Sequence, residues 1–340
     1  VVKAMKGVFA AMAACGLMLS AVTANAADIK DRTLRIACAA TPGNPQYDGA
    51  QKFSELVAQK SGGKIKVKVF GGATLGKDLQ VVSAMQGGIV DMGVMNTNLL
   101  VGVTKEAGLL DLPFLFDSEK EAYAVLDSAV GKKIHAALEP KGLIGLGYFD
   151  MGYYNLHNSK RPITKLEDMQ GLKMRVTETP ISIETMAALG GNPVPIPYSE
   201  LYTVLEQNVV DGGGQPPLNM IFGKIGEVQK FYSINKYSFT PQSLLLSKKT
   251  WEKLSADEKN LMQEAAKEAA DAQRQMSLKK SAESLVELKR TTKINEVSPA
   301  EIARMKEKTK PVVEKFAKEY NEALAKELFA EIAKVRKAKN

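Results

Sequence analysis

Gly88-Ile89-Val90-Asp91-Met92-Gly93 returns later in the chain as Asn208-Val209-Val210-Asp211-Gly212-Gly213, each copy behind an amphipathic helical pattern and each reading as the opening of a strand. Helix–turn–strand units with Asp and Gly are common enough for chance to produce such a pair, so the surrounding pattern has to decide. Upstream, Asn44-Pro45 reads as an N-cap and first-turn proline, followed by Phe53, Leu56 and Val57 at helical spacing and closed by Gly62-Gly63. Lys64-Ile65-Lys66-Val67-Lys68-Val69 then alternates strictly, which predicts a strand with one buried face. A glycine-rich turn and a helix over about 77–86 lead to a strand at Ile89-Val90. Further on come a helix near 119–138, strands at 143–149 and 172–176, a helix from Thr179-Pro180, an extended piece at 193–197 and a helix capped by Ser199. This alternation implies an α/β fold with mainly parallel sheets. With the repeat, it implies two similar lobes and a ligand cleft between them, beyond the carboxyl ends of the strands.

Composition narrows the partners. The length of 340 residues suits two domains or one large α/β unit, and 45% hydrophobic with 25% charged residues excludes disordered or polytopic membrane classes. Residues 1–26 read as a signal peptide: Lys3 and Lys6, an uncharged apolar run from Val8 to Val22, then Ala24-Asn25-Ala26 as a cleavage site. Its removal would take two of the eight excess positive charges and Cys15, leaving +6 and one cysteine, Cys38, in an exported protein with no internal disulfide. From Trp251 onward the texture changes to long charged helices. Ser255 to Glu258 and Ser298 to Glu301 have capping-box spacing, and the Lys/Glu-rich stretches behind them read as solvated helix faces. Positive and negative charges are interleaved there, which argues against nucleic-acid binding.

Motifs for chemistry are few. Gly71-Gly72-Ala73-Thr74-Leu75-Gly76-Lys77 matches a phosphate loop, but Asp78 stands where Ser or Thr is required, so a tight turn feeding a helix with an acidic first turn is the better reading. His135 and His157 have no ligand spacing to each other or to a cysteine, and no nucleophile or zinc motif occurs. No catalytic residue, metal site or cofactor is expected.

The ordered segments resemble a family. Lys52-Phe53-Ser54-Glu55-Leu56-Val57, the stretch 76–93, Leu110-Asp111-Leu112-Pro113-Phe114-Leu115-Phe116, Asn158-Ser159-Lys160-Arg161-Pro162-Ile163 and Gly171-Leu172-Lys173-Met174-Arg175-Val176 are similar to those of the solute receptors of tripartite ATP-independent periplasmic (TRAP) transporters, the DctP-like family. Ala188-Leu189-Gly190-Gly191-Asn192-Pro193-Val194-Pro195, Val210-Asp211-Gly212 and Ser247-Lys248-Lys249-Thr250-Trp251 continue the match in order. The resemblance implies a two-lobed periplasmic solute-binding fold with long C-terminal helices that closes over a small organic acid. Lobe I is expected at 27–152 and 241–280, and lobe II at 153–240 and 281–340. It also implies a monomeric receptor, not an enzyme, that serves the small and large membrane subunits of a TRAP permease from the periplasm. An exported carboxylate-acting enzyme and a receptor feeding a signalling protein are the alternatives.

Residue by residue, Arg175 matches the arginine that pairs with the ligand carboxylate, a role suited to its planar fork. Periodicity alone puts Arg175 on the surface, alternating with Leu172, Met174 and Val176. Gln215 falls where the family usually has Asn, Tyr198 at an aromatic position that covers the ligand, and Asn96 after the first repeat on the other lobe. Tyr154 replaces a frequent Arg, and Glu178 stands where small polar residues are common. These departures imply a monocarboxylate, hydroxylated, oxo-substituted or aromatic, rather than a diacid.

Overall fold

The computed structural model describes residues 28–338, and the expected signal peptide lies outside them. In chain order the elements are β1 (Arg32–Cys38), α1 (Pro45–Lys60), β2 (Ile65–Phe70), α2 (Asp78–Gly87), β3 (Met92–Asn96), α3 (Glu119–Leu126), α4 (Ala129–Ala136) and β4 (Leu143–Asn158). They continue with β5 (Lys173–Val176), α5 (Pro180–Ala188), β6 (Asn192–Pro195), α6 (Leu201–Glu206), β7 (Gly212–Gln215), α7 (Pro217–Phe222), α8 (Ile225–Val228), β8 (Phe231–Ser247), α9 (Lys248–Trp251), α10 (Ala256–Leu288), β9 (Lys293–Glu296) and α11 (Pro299–Lys337).

Local signals account for the first unit. The Asn44 side chain accepts from the Gln46 amide at 2.9 Å and Pro45 opens α1, while Gly62 and Gly63, both at positive φ, end it. Alternation in β2 buries Ile65 and Val67 and exposes Lys66 and Lys68. β1 pairs in parallel with β2 and β3, so this half of the sheet runs β2-β1-β3.

The second unit repeats the first: β5 pairs in parallel with β6 and β7, in the order β6-β5-β7. The short sequence repeat has a structural counterpart down to single bonds. After α2, Gly88 takes φ 78° and the Ile89 amide reaches back to the Ala84 carbonyl at 2.8 Å; after α6, Asn208 takes φ 55° and the Val209 amide reaches Val204 at 2.9 Å. Both are left-handed helix stops in which the residue after the stop is apolar. Asp91 then accepts from the Arg35 amide at 2.9 Å, and Asp211 from the Lys173 amide at 2.8 Å, so each carboxylate ties its turn to the neighbouring strand. Ile89 and Val209 therefore belong to exposed helix stops, not strands; the strands open later, at Met92 and Gly212.

The expectation of mainly parallel sheets holds inside each unit and fails between them. Two long strands, β4 and β8, pair antiparallel with each other, β8 with β3 and β4 with β7, to give the continuous order β2-β1-β3-β8-β4-β7-β5-β6, with β9 parallel on β8. Their ladder shifts register between Asp150 and Tyr153, where Gly152 sits at φ 88°. At that crossing Gln273 of α10 grips the Asp150 backbone from both sides, accepting from its amide and donating to its carbonyl at 2.7 Å each. The expected helix near 119–138 is two helices, each capped by a serine, Ser118 and Ser128.

The C-terminal helices span the molecule. Ser255 and Glu258 form the expected reciprocal cap on α10, and Ser298 caps α11. The expected lobe boundary at 280/281 falls inside α10. Val312, Phe316, Leu324 and Leu328 of α11 share one core with Leu109, Leu110, Val125 and Ile134 on one side and Ile181 of α5 on the other. Among the described residues no helix is long and apolar enough to cross a membrane.

Candidate functional site

The carboxyl ends of the parallel strands in the two units converge on one cavity of about 120 Å³. Ala39 and Ala40 after β1, Lys77 and Asp78 after β2, and Asn96 at the end of β3 form one side. Arg175, Thr177 and Glu178 at the end of β5, Tyr198 after β6 and Asn219 on α7 form the other, and Tyr154 of β4 and Gln242 of β8 close the back.

Arg175 is the centre of the site. Only 4% of its surface is exposed, against the surface position that periodicity suggests. Its Nε–H donates to the Ile196 carbonyl at 2.8 Å, which orients the fork. Among the described residues no carboxylate lies within ion-pair distance of it, and burial depresses its pKa, although a guanidinium stays charged. The other buried arginine, Arg274, holds Asp127 through two bonds of 2.6 and 2.8 Å. A buried guanidinium without a carboxylate partner is costly to keep in a fold.

Two acidic groups share its field. Asp78, the first residue of α2, presents its exposed part to the cavity, and its carboxyl is pushed up to about 6 by burial; Arg175 opposes that shift and Glu178 adds to it. Tyr154 is buried and fixed: its hydroxyl accepts from the Asn96 amide at 3.1 Å, and Asn96 accepts in turn from Gln242 at 3.2 Å. Burial raises the Tyr154 hydroxyl pKa and carries that of Tyr198 to about 12, so both remain neutral.

Five of the six expected residues, Arg175, Tyr198, Asn96, Tyr154 and Glu178, thus meet in the wall. Gln215 does not. It is fully buried at the end of β7, where its Oε1 accepts from Asn219 at 2.9 Å and its carbonyl accepts from the Tyr232 hydroxyl at 3.1 Å. The amide that reaches the wall is Asn219, one helical turn later, which also accepts from Asn44 across the cavity at 3.4 Å. Asp78, Asn44 and Asn219 are among the polar wall residues missed, as are Thr177 and Gln242. Asp78 was visible as the misfit in the phosphate-loop pattern, whereas Asn44 showed only its capping role. That loop is a turn with Gly72, Ala73 and Gly76 at positive φ, delivering Asp78 to the cavity.

The histidines lie elsewhere. His135 stacks on Tyr148 and bonds Ser243 at 2.9 Å, and His157 bonds Gln229 at 2.8 Å; burial lowers their pKa values to about 3 and about 4. Cys38 is buried next to the site, and burial raises its thiol to about 12.

Residues 36–319 match the family model described as bacterial extracellular solute-binding protein, family 7 (DctP). The chain is 33% identical over 246 residues to the 2,3-diketo-L-gulonate-binding periplasmic protein YiaO of Escherichia coli, covering 72% of this chain and 75% of that one. It is similar to the crystal structure of a TRAP periplasmic solute-binding protein from Ochrobactrum anthropi with its C-terminus bound in the ligand-binding pocket, at 43% identity, 92% and 98% coverage and a TM-score of 0.84. It is also similar to the sugar acid binding protein DctPAm from Advenella mimigardefordensis in complex with galactonate, at 35% identity, 91% and 100% coverage and a TM-score of 0.88. A two-lobed fold, a cavity at the strand ends and a buried arginine in its wall agree with these likenesses: the chain belongs to the DctP family of bacterial extracellular solute-binding proteins.

Proposed function

We propose that the chain is a TRAP solute receptor that captures a polyhydroxylated monocarboxylate, a sugar acid, and delivers it to the small and large membrane subunits of a permease from the periplasm. The observation that carries the reading is the charge pattern of the cavity: one buried, unpaired guanidinium with two carboxyl groups in its field. Arg175 would take the ligand carboxylate through two parallel bonds. Asp78 and Glu178 would accept from ligand hydroxyls, Asn96 and Asn219 would complete the polar wall, and Tyr198 would cover the carbon skeleton.

A diacid fits this pattern poorly. The second cation of the cavity, Lys77, is already paired with Glu200. A second ligand carboxylate about 5 Å from Asp78 would be repelled by about 3 kcal/mol at an effective dielectric of 20. Tyr154, neutral where relatives often carry a cation, offers no compensation. The names of YiaO and DctPAm, one for a diketo acid and one for galactonate, support the same class.

Lobe I is proposed at 27–152 and 241–280 and lobe II at 153–240 and 281–340, hinged where β4 and β8 cross. The work is capture, closure and docking, with no reaction catalysed. Titration calorimetry with D-galactonate, D-glucuronate and succinate tests the assignment, together with mass spectrometry of the ligand recovered after incubation. Tighter binding of succinate than of either sugar acid would overturn the ligand class, and a chemically altered ligand would overturn the receptor.

A further inference from the structure

Lys77 and Glu200 stand on the two loops that face each other across the mouth of the cavity, and their side chains form an ion pair. The loops are equivalent in the repeat: each follows the second strand of its unit and leads into the second helix, from β2 to α2 and from β6 to α6. Each also lines the cavity, the first with Asp78 and the second with Tyr198.

The loop that carries Lys77 is the false phosphate loop. Three of its residues, Gly72, Ala73 and Gly76, hold positive φ of 64°, 56° and 119°. An alanine adopts this conformation only when its surroundings impose it, and here the Ala73 amide is tied to the Cys38 carbonyl at 3.2 Å and its carbonyl to the Gly76 amide at 3.0 Å. The turn sets consecutive residues to two tasks. Lys77 points outward to the opposite loop and Asp78 inward to the cavity.

Resting on the receptor reading above, we propose that Lys77 and Glu200 form a clasp that holds the cleft shut over the bound acid and sets its rate of escape. A ligand enclosed at Arg175 leaves only when these loops part, so the pair must break on the way out. Both side chains are about half exposed, at 49% and 46%, so the clasp is weak. A weak clasp suits a carrier that must release its cargo. The pair Asn44–Asn219 at 3.4 Å bridges the same opening from inside but carries no charge, so at this mouth the ion pair is the contact that salt screens; the ion pairs of α11, such as Lys133–Glu327 and Arg336–Glu121, lie away from the mouth residues and are untouched by its variants.

Stopped-flow displacement of D-galactonate and of D-glucuronate from the full mature chain tests this. Lys77→Ala and Glu200→Ala should each raise koff about two- to fivefold, in the range of exposed ion pairs. The double alanine variant should be no faster than either single one, and the swap Lys77→Glu with Glu200→Lys should return to within about twofold of the parent. Raising salt should speed release from the parent more steeply than from the double alanine variant, which keeps only the salt dependence of the ligand's own charge and of the remaining ion pairs. Effects of the two alanines that multiply, or a parent koff indifferent to salt, would overturn the clasp. If neither acid binds the parent chain, it is the ligand class that has failed. The clasp is then read on the unliganded protein by pulsed dipolar spectroscopy, with spin labels on Ser83→Cys and Thr203→Cys. A short-distance population that disappears in the double alanine variant supports it, and identical distributions with and without the two alanines overturn it.

Discussion

Arg175→Ala separates affinity from stability, because the same side chain is expected to help one and burden the other. The guanidinium is 4% exposed, donates one bond to Ile196 and meets no carboxylate of the described chain. Bound to a ligand carboxylate, it becomes one half of a buried ion pair, and removing one partner of such a pair costs about 3–5 kcal/mol. At about 1.4 kcal/mol per decade, the dissociation constant should rise between a hundredfold and a few thousandfold. Arg175→Lys keeps the charge but not the fork or the bond to Ile196, so its loss should fall between parent and alanine. The unliganded chain should respond in the opposite sense. Replacing an unpaired buried charge with a hydrophobe of similar reach, Arg175→Met, relieves desolvation and should leave the melting temperature unchanged or higher. Titration calorimetry and thermal unfolding of the same preparations supply both numbers. Binding within fivefold of the parent in Arg175→Ala, or a fall of the unliganded melting temperature in Arg175→Met, would refute the reasoning.

Three further perturbations address the neighbours of Arg175. Asp78→Asn should weaken galactonate binding about tenfold or more, the range of a hydrogen bond to a charged group, and should narrow the gap to succinate. Because burial holds the Asp78 carboxyl at about 6, parent affinity should decline as pH falls from 7 to 5, and calorimetry should find that decline missing in the variant. Tyr154→Arg adds a cation with no carboxylate partner at the cost of the bond from Asn96, and should move the succinate-to-galactonate affinity ratio at least tenfold toward succinate. Asp111 is buried beneath bonds from Asn98, Thr179 and Ser182, and burial raises its carboxyl to about 6. The folded chain then keeps a proton between about pH 4 and 6 that the unfolded chain has released, so this site makes stability fall as pH rises through that window. It disfavours the fold by about 3 kcal/mol at pH 7. The buried histidines act the other way, their lowered pKa values reducing stability as pH falls below about 6.5. The difference between parent and Asp111→Asn in urea unfolding isolates the one site: it should change by about 1.4 kcal/mol per pH unit from 4 to 6 and be flat above.

The elements with a local cause were legible, and those with a distant cause were not. Asn44-Pro45, the alternation of β2 and the Ser255–Glu258 cap each carry their reason within a few residues, and each formed where expected. The long strand β8 went unread. It is buried along nearly its whole length and so has no alternation, and it contains Pro241 and a residue at positive φ, Lys236. Its partner β4 was read only to 149 because the ladder shifts at the crossing. Arg175 shows the same limit at the site. Polarity and alternation place it outside, and it is inside with its Nε–H bonded to the carbonyl of Ile196, a partner 21 residues further along the chain. Gln215 failed for a related reason. The match in sequence located the right turn of chain, but β7 aims that side chain at Asn219, and the one that reaches the cavity belongs to the helix behind it.

The repeat sets the chemistry of the two central strand ends side by side. Asp91 to Arg35 and Asp211 to Lys173 are equivalent bonds, and counting on from them sets Ala37 against Arg175 and Ala40 against Glu178 in the two central strands. The two units share their backbone and divide their chemistry. At the end of β5 the chain places Arg175 and Glu178 in the cavity wall, the proposed carboxylate site, while at the end of β1 it places Ala39 and Ala40, whose smallness would leave room for a carbon skeleton. A ligand held first by Arg175 would meet an opposing surface of small residues and neutral amides, with Asp78 as its one carboxyl and Lys77 already paired with Glu200. That surface gains little from the carboxylate itself and must recognise the hydroxyls instead. Closure is then favoured only when a ligand satisfies both: a carboxylate for one lobe and donors for the other. The division of labour between two equivalent strand ends is therefore the physical reason to expect selectivity for hydroxylated monoacids, with Arg175 recruiting any carboxylate and Asp78 deciding which one the cleft closes upon.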